Sequence, residues 1–143
     1  MESGKHHSLV KTIYNYVSNL DYVEEKLIES DIFEVNGQVT KMPEGFIPDL
    51  FYKYKNIVII GEAKTDKDLE REHSYNQYRS YVNYLKVHLE LGFDCVLILA
   101  VPWEASITAY RIIKKIAEDN NIKIVIMNEM GVYKEYEKNS IKQ

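Results

Sequence analysis

An unbroken apolar run from Cys95 to Val101 stands between Asp94 and Pro102. A run of that length with no polar alternation suits a strand buried on both faces. Such a strand needs cover on either side of its sheet, and the surrounding sequence offers it. Leu9, Ile13, Tyr16 and Leu20 recur at helical spacing and predict an amphipathic helix from about Ser8 to Leu20. The stretch from Tyr22 to Val35 fits either more helix or a first strand. Asn36-Gly37 is a turn signal and Lys41 to Gly45 reads as loop. Ile47 to Tyr54 and Ile57 to Lys64 are rich in β-branched and aromatic residues, and predict a hairpin closed at Lys55-Asn56. After the polar stretch from Thr65 to Asp68, a long helix is predicted from Leu69 to Leu91, with Tyr78, Val82, Leu85 and Leu89 buried and Gly92 as its C-cap. A further helix over about Ala105 to Asn120 turns Ala109, Ile113, Ile116 and Ala117 inward, and Ile122 to Met127 forms a last strand. Gly131 to Gln143 is polar and predicts a solvated tail or short helix. The expected order is helix, strand, strand, strand, helix, strand, helix, strand. That order belongs to one three-layer α/β domain spanning residues 1–143.

Composition narrows the function classes. The chain has 143 residues, 45% hydrophobic and 28% charged, which is ordinary globular usage. Its single cysteine, Cys95, excludes an intrachain disulfide and a cysteine-rich zinc site. No apolar run reaches the ~18 residues of a membrane span. The start, Met-Glu-Ser-Gly-Lys-His-His-Ser, carries no apolar signal core. The expectation is a soluble, cytoplasmic protein without membrane contact. A net charge of −4 counts against a uniformly basic nucleic-acid binder. It leaves room for a local basic groove, or for acids that hold a metal.

The chemistry concentrates in Pro48-Asp49 and Gly61-Glu62-Ala63-Lys64. Side chains alternate along a strand, so Val58, Ile60, Glu62 and Lys64 share a face. A hairpin closed on Lys55-Asn56 pairs Tyr54 with Ile57. Each step back along the first strand then matches a step forward along the second, until Asp49 meets Glu62. Their Cβ atoms would lie roughly 5 Å apart, and like charges so placed are destabilising. A bound divalent cation would offset the repulsion, and hard oxygen ligands favour Mg2+ or Mn2+. Lys64, on the same face, is placed to hold a phosphate oxygen or to assist an attacking water. On spacing alone, the two acids read first as solvated strand-edge residues and Glu62–Lys64 as a surface ion pair worth little.

Pro48-Asp49 followed across a hairpin by Glu62-x-Lys64 resembles the signature of the PD-(D/E)XK, or restriction-endonuclease-like, nuclease superfamily. The predicted helix-strand-strand-strand-helix-strand order from Ser8 to Val101 is similar to that superfamily's core. Gln77 and Tyr81, in a Q-x-x-x-Y pattern, are similar to its exonuclease-like branch; the Holliday-junction-resolvase-like branch is the other comparison. The resemblance implies a metal-dependent DNA nuclease. Asp49 and Glu62, with the carbonyl of Ala63, would hold Mg2+ (Mn2+ as an alternative). Lys64 would be the catalytic lysine, and Gln77 would lie near the metal. Gly61 would be the small position before the acid. DNA is the implied partner, and a duplex cutter of this size would pair as a homodimer to cut both strands. The superfamily also implies an alternative, a catalytically silent domain that binds nucleic acid or protein.

The resemblance leaves one gap. Many members carry an acid on the first helix, whereas this chain reads Lys5-His6-His7-Ser8-Leu9 there. His7, Glu24 and Glu25 are the candidates for that contact, and His6 reads as part of a disordered terminus. His73, Gln77 and Tyr81 lie four apart on one helical stripe that could border the groove; Tyr75, Tyr78 and Tyr84, and Tyr81 with them, fit packing as well. Cys95 reads as core, and Trp103 as a cap on the sheet, with stacking on a base as its alternative. Arg71, Arg79, Lys86 and His88 are candidate phosphate contacts on a helix whose charges otherwise form a solvated face.

Overall fold

The computed structural model of the protein describes residues 4–30, 38–118 and 120–138. Helix α1 (Gly4–Ser18) leads to a short 3-10 helix, Glu25–Leu27. Strands β1 (Leu50–Tyr54) and β2 (Ile57–Ala63) precede helix α2 (Glu72–Glu90). Strand β3 (Asp94–Ala100), a 3-10 turn (Trp103–Ala105), helix α3 (Ser106–Ala117) and strands β4 (Lys123–Asn128) and β5 (Gly131–Tyr136) complete the order. The strands form one mixed sheet in the order β1-β2-β3-β4-β5, with β2, β3 and β4 parallel and the two outer strands antiparallel.

The parallel strands explain the layering. Two successive crossovers, through α2 and α3, advance in the same direction across the sheet and leave both helices on one face. That face buries Val58, Ile60, Leu97, Leu99, Ile124 and Ile126. On the other face α1 packs Leu9, Ile13 and Val17 against Ile59, Ile98 and Val125. The run from Cys95 to Val101 is buried throughout, as a strand covered on both sides must be. Gly61 sets the spacing of α1: a Cβ there would lie 2.8 Å from Ile13 Cγ2 and 3.3 Å from Leu50 Cβ.

The hairpin has the expected register, with Tyr54 opposite Ile57 and Leu50 opposite Gly61. Lys55, at φ 56°, takes the left-handed conformation that a two-residue hairpin loop needs. Helix α2 begins at Glu72 rather than Leu69, because the Asp68 and Leu69 N–H groups donate to the Thr65 carbonyl in a separate turn. It ends as predicted, with Gly92 at φ 95°.

Two expectations are corrected. Among the described residues two strands, not three, stand before α2, so the helix-strand-strand-strand-helix-strand order is not found. Residues 22–30 instead hold the 3-10 helix and a single antiparallel bridge, in which Glu29 and Phe51 exchange N–H···O=C bonds of 2.8 and 2.9 Å. Ile28 is the one large apolar side chain that this stretch buries completely, too little to extend the pairing. The Asn36-Gly37 turn lies outside the described residues. The second correction concerns the polar C-terminal segment, which is strand β5 rather than tail or helix over Gly131–Tyr136. Its side chains are largely exposed because it is an edge strand. Gly131, at φ 116°, makes the turn, and Lys123 ties it to Glu135 at 3.2 Å. Among the described residues no helix is long and apolar enough to cross a membrane.

Candidate functional site

The C-terminal end of β2, the approach to β1 and the first turns of α1 and α2 meet at one cleft of about 630 Å3. Asp49, Glu62 and Gln77 line it, with Lys5, His6 and the turn Thr65–Asp68. The hairpin register, continued one step past Leu50, brings Asp49 opposite Glu62. Asp49 stands just outside the assigned strand, and its Oδ2 accepts a 2.9 Å hydrogen bond from the Ala63 N–H. Glu62 points toward α2, where the Tyr81 hydroxyl donates to its Oε1 at 2.8 Å. Lys64 Nζ lies 3.5 Å from Glu62 Oε2 and donates to Gln77 Oε1.

Glu62 is only 5% exposed. Burial, and next the charge of Asp49, push its carboxyl up to about 8; Lys64, the Tyr81 hydrogen bond and His6 pull the other way. The short distance to Lys64 suggests an ionised pair, yet desolvation outweighs it. Near neutral pH the cation-free carboxyl therefore keeps its proton. The same burial, with Glu62 as neighbour, raises the Tyr81 hydroxyl far out of reach of titration.

The donors suit a hard cation. The Lys64 N–H donates to the Ala100 carbonyl on β3 at 2.9 Å. Across a trans peptide the Ala63 carbonyl points the opposite way, to the β1 side of β2. Asp49 and Glu62 line the cleft at the C-terminal end of β2, next to that carbonyl in the chain. Among the described residues no group of three or more His, Cys, Asp or Glu side chains forms a metal cage. A cation here would have few protein ligands, the mode Mg2+ prefers, with water and phosphate completing its shell.

The sequence-predicted set Asp49, Glu62, Ala63, Lys64 and Gln77 is brought together. His6, expected in a disordered terminus, instead lies on the first turn of α1 with Nε2 3.3 Å from Asp49 Oδ2. It occupies the first-helix place considered for His7, Glu24 or Glu25. His7 faces solvent, whereas Glu24 and Glu25 line a separate hollow and Glu25 accepts from the Tyr14 hydroxyl at 3.1 Å. Helical periodicity starts at Leu9, the first apolar residue on the buried face, so it carries no sign that the helix reaches back to His6. Tyr81 belongs to the site, four residues after Gln77 as the Q-x-x-x-Y spacing allows. His73, on the same stripe, meets the Phe46 ring edge-on at 5.5 Å instead. Tyr78 is packing, its hydroxyl donating to the Leu69 carbonyl at 2.8 Å.

The remaining candidates separate cleanly. Arg71 pairs with Asp68 at 3.3 Å. His88 is buried, stacked on Tyr84 at 4.2 Å and hydrogen-bonded to its carbonyl, so it offers nothing to a phosphate. Trp103 is exposed rather than a cap on the sheet, because its 3-10 turn carries it outward. Cys95 is core, its thiol donating to the Leu85 carbonyl at 3.4 Å and pushed up to about 12 by burial. The chain matches no family model, no curated protein and no solved structure.

Proposed function

We propose that this chain is a divalent-metal-dependent nuclease of the PD-(D/E)XK kind that hydrolyses DNA phosphodiester bonds at the Asp49–Glu62–Lys64 cleft. The observation that carries the reading is a cleft lined by Asp49 and a buried Glu62, with the Lys64 ammonium 3.5 Å from the Glu62 carboxyl. A merely solvated strand edge would leave Glu62 exposed. Asp49, Glu62 and the Ala63 carbonyl would hold the cation. Bound there, Mg2+ or Mn2+ supplies Lewis acidity to a phosphoryl oxygen and lowers the pKa of a coordinated water.

The chain's own groups divide the remaining work. An ammonium has three donors; those of Lys64 that face Gln77 and Glu62 fix its position, and the third is left for a phosphate oxygen or the attacking water. Gln77 holds the lysine end and keeps it from collapsing onto Glu62. Tyr81 donates to Glu62, fixing the rotamer that presents the other oxygen to the cleft. The Ala63 N–H does the same for Asp49. His6 adds a nitrogen at Asp49, where many relatives of this kind would place an acid.

One observation favours a second reading, a nuclease-like domain that binds without cutting. Glu62, Lys64, Gln77 and Tyr81 already satisfy one another and need no ligand to stay buried. Cleavage separates the two. The protein is incubated with single-stranded, duplex and branched DNA, with EDTA, Mg2+ or Mn2+. Cleavage that requires the cation and falls by about 100-fold or more in Asp49→Ala and Lys64→Ala supports the nuclease, as loss of electrostatic stabilisation on this scale implies. Cleavage equal in all three proteins, or absent with every substrate and ion, rejects it.

A further inference from the structure

The acidic surplus of the chain is not evenly spread. Between α2 and α3 lies a hollow of about 570 Å3. Arg79 and Lys86 line it from α2, and Arg111 and Lys115 from α3. Among the described residues Glu118 is the one acid on its wall, and none of the four cations pairs with a carboxylate. The basic surface continues toward β5. There Lys114 lies 4.8 Å from the Tyr136 ring and Lys134 5.0 Å from the Tyr110 ring.

We propose that this α2–α3 hollow is a nucleic-acid backbone-binding surface, distinct from the metal cleft. Its charges are too widely spread for one small anion. Arg79 and Lys86 stand about 10 Å apart along α2, and Arg111 and Lys115 about 6 Å apart along α3. That extent suits a polymer with regularly repeated charge. The guanidinium forks of Arg79 and Arg111 match phosphate oxygens two at a time. Every fully exposed residue on the wall is charged or an amide. A protein partner would want exposed apolar anchors, whereas on this wall Tyr75, Ile112 and Ile116 are half-buried and Val82 is buried.

Geometry ties the hollow to the cleft. Tyr75 and Arg79 line the hollow, while Gln77 between them lines the cleft. Residues two apart on a helix point to nearly opposite sides. One helix diameter, about 10–12 Å, therefore separates the two surfaces, and only a chain longer than one nucleotide can touch both. The choice of a polynucleotide rests on the nuclease reading of the cleft; the location of the surface does not.

The test measures affinity for labelled single-stranded and duplex DNA in EDTA across a salt titration. Arg111→Glu/Lys115→Glu should bind about tenfold more weakly or worse, with a log–log salt slope shallower by about 2. Lys11→Glu/Lys55→Glu, on α1 and at the hairpin tip, carries the same charge change and should keep wild-type affinity. Equal weakening by both charge-reversed pairs, or none by either, overturns the proposal. So does hollow-dependent binding of polyglutamate by a protein that ignores DNA. Hollow variants that bind normally alongside intact metal-dependent cleavage defeat this surface and spare the nuclease. Weakened binding in a protein that cleaves with no cation does the reverse.

Discussion

Burial and the neighbouring Asp49 hold the Glu62 carboxyl near 8, against 4.5 for the same group in water. The unfolded chain gives up that proton at the lower value, while the folded chain keeps it. Between these two pH values the native state binds more protons, so stability falls as pH rises. The contribution is fully present below about 4.5 and gone above about 8. Glu62→Gln imitates the protonated acid and does not titrate. In EDTA, urea unfolding of wild type should lose ground to Glu62→Gln from pH 5 upward, with the gap levelling off above about 8. Parallel pH profiles for the two proteins would mean that Glu62 does not sit neutral in the native cleft. A cation that needs both carboxylates ionised must displace this proton. The residue is therefore unfavourable for the cation-free fold, and the proposed metal role would account for its place there.

At the scale of elements, the closeness of α1 to β2 decides whether His6 reaches Asp49. Gly61 permits that approach, since any Cβ would press on Ile13 and Leu50. Gly61→Ala should cost about 1–3 kcal/mol, the usual range for overpacking a filled core. Ile13→Leu removes the Cγ2 methyl that the new Cβ would meet at 2.8 Å. In a double-mutant cycle by urea unfolding it should recover part of the loss, and strictly additive effects would show that the contact is not the cause. The hairpin and α2 were legible in sequence because their signals are local: β-branched runs, a two-residue turn, apolar spacing and a terminal glycine. The first-strand alternative and the C-terminal tail were not. In both places polar composition is shared by loops, edge strands and single bridges, and only pairing partners distinguish them.

Across the whole molecule, acid and base are unevenly spread, although Lys5 and Lys67 also line the cleft and Glu118 the hollow. The cleft gathers Asp49, Glu62, Asp66 and Asp68 at one end of the sheet, while the cations of α2 and α3 gather on one face. A net charge of −4 averages over this division and hides it. Because the cleft draws on α1, β1, β2 and α2 together, a cation bound there stabilises the fold as a unit. At 100 times its Kd the gain is about 2.7 kcal/mol, worth a rise of roughly 9 °C in Tm for a domain of this size. Thermal scans with Mg2+ or Mn2+ should show that rise in wild type and lose it in Asp49→Asn. An equal rise in both proteins would place the ion elsewhere.

The sequence by itself determined the hairpin, its register, the strand buried on both faces and the facing of Asp49 with Glu62. All of these follow from periodicity and from counting outward from a turn. Tertiary structure alone decided which histidine stands at Asp49, that Tyr81 rather than His73 reaches the carboxyl, and that four cations share one hollow. Those outcomes depend on how far one helix lies from the next, and on which side each stripe faces once the helix is docked. Neither quantity is carried by residues close together in the chain.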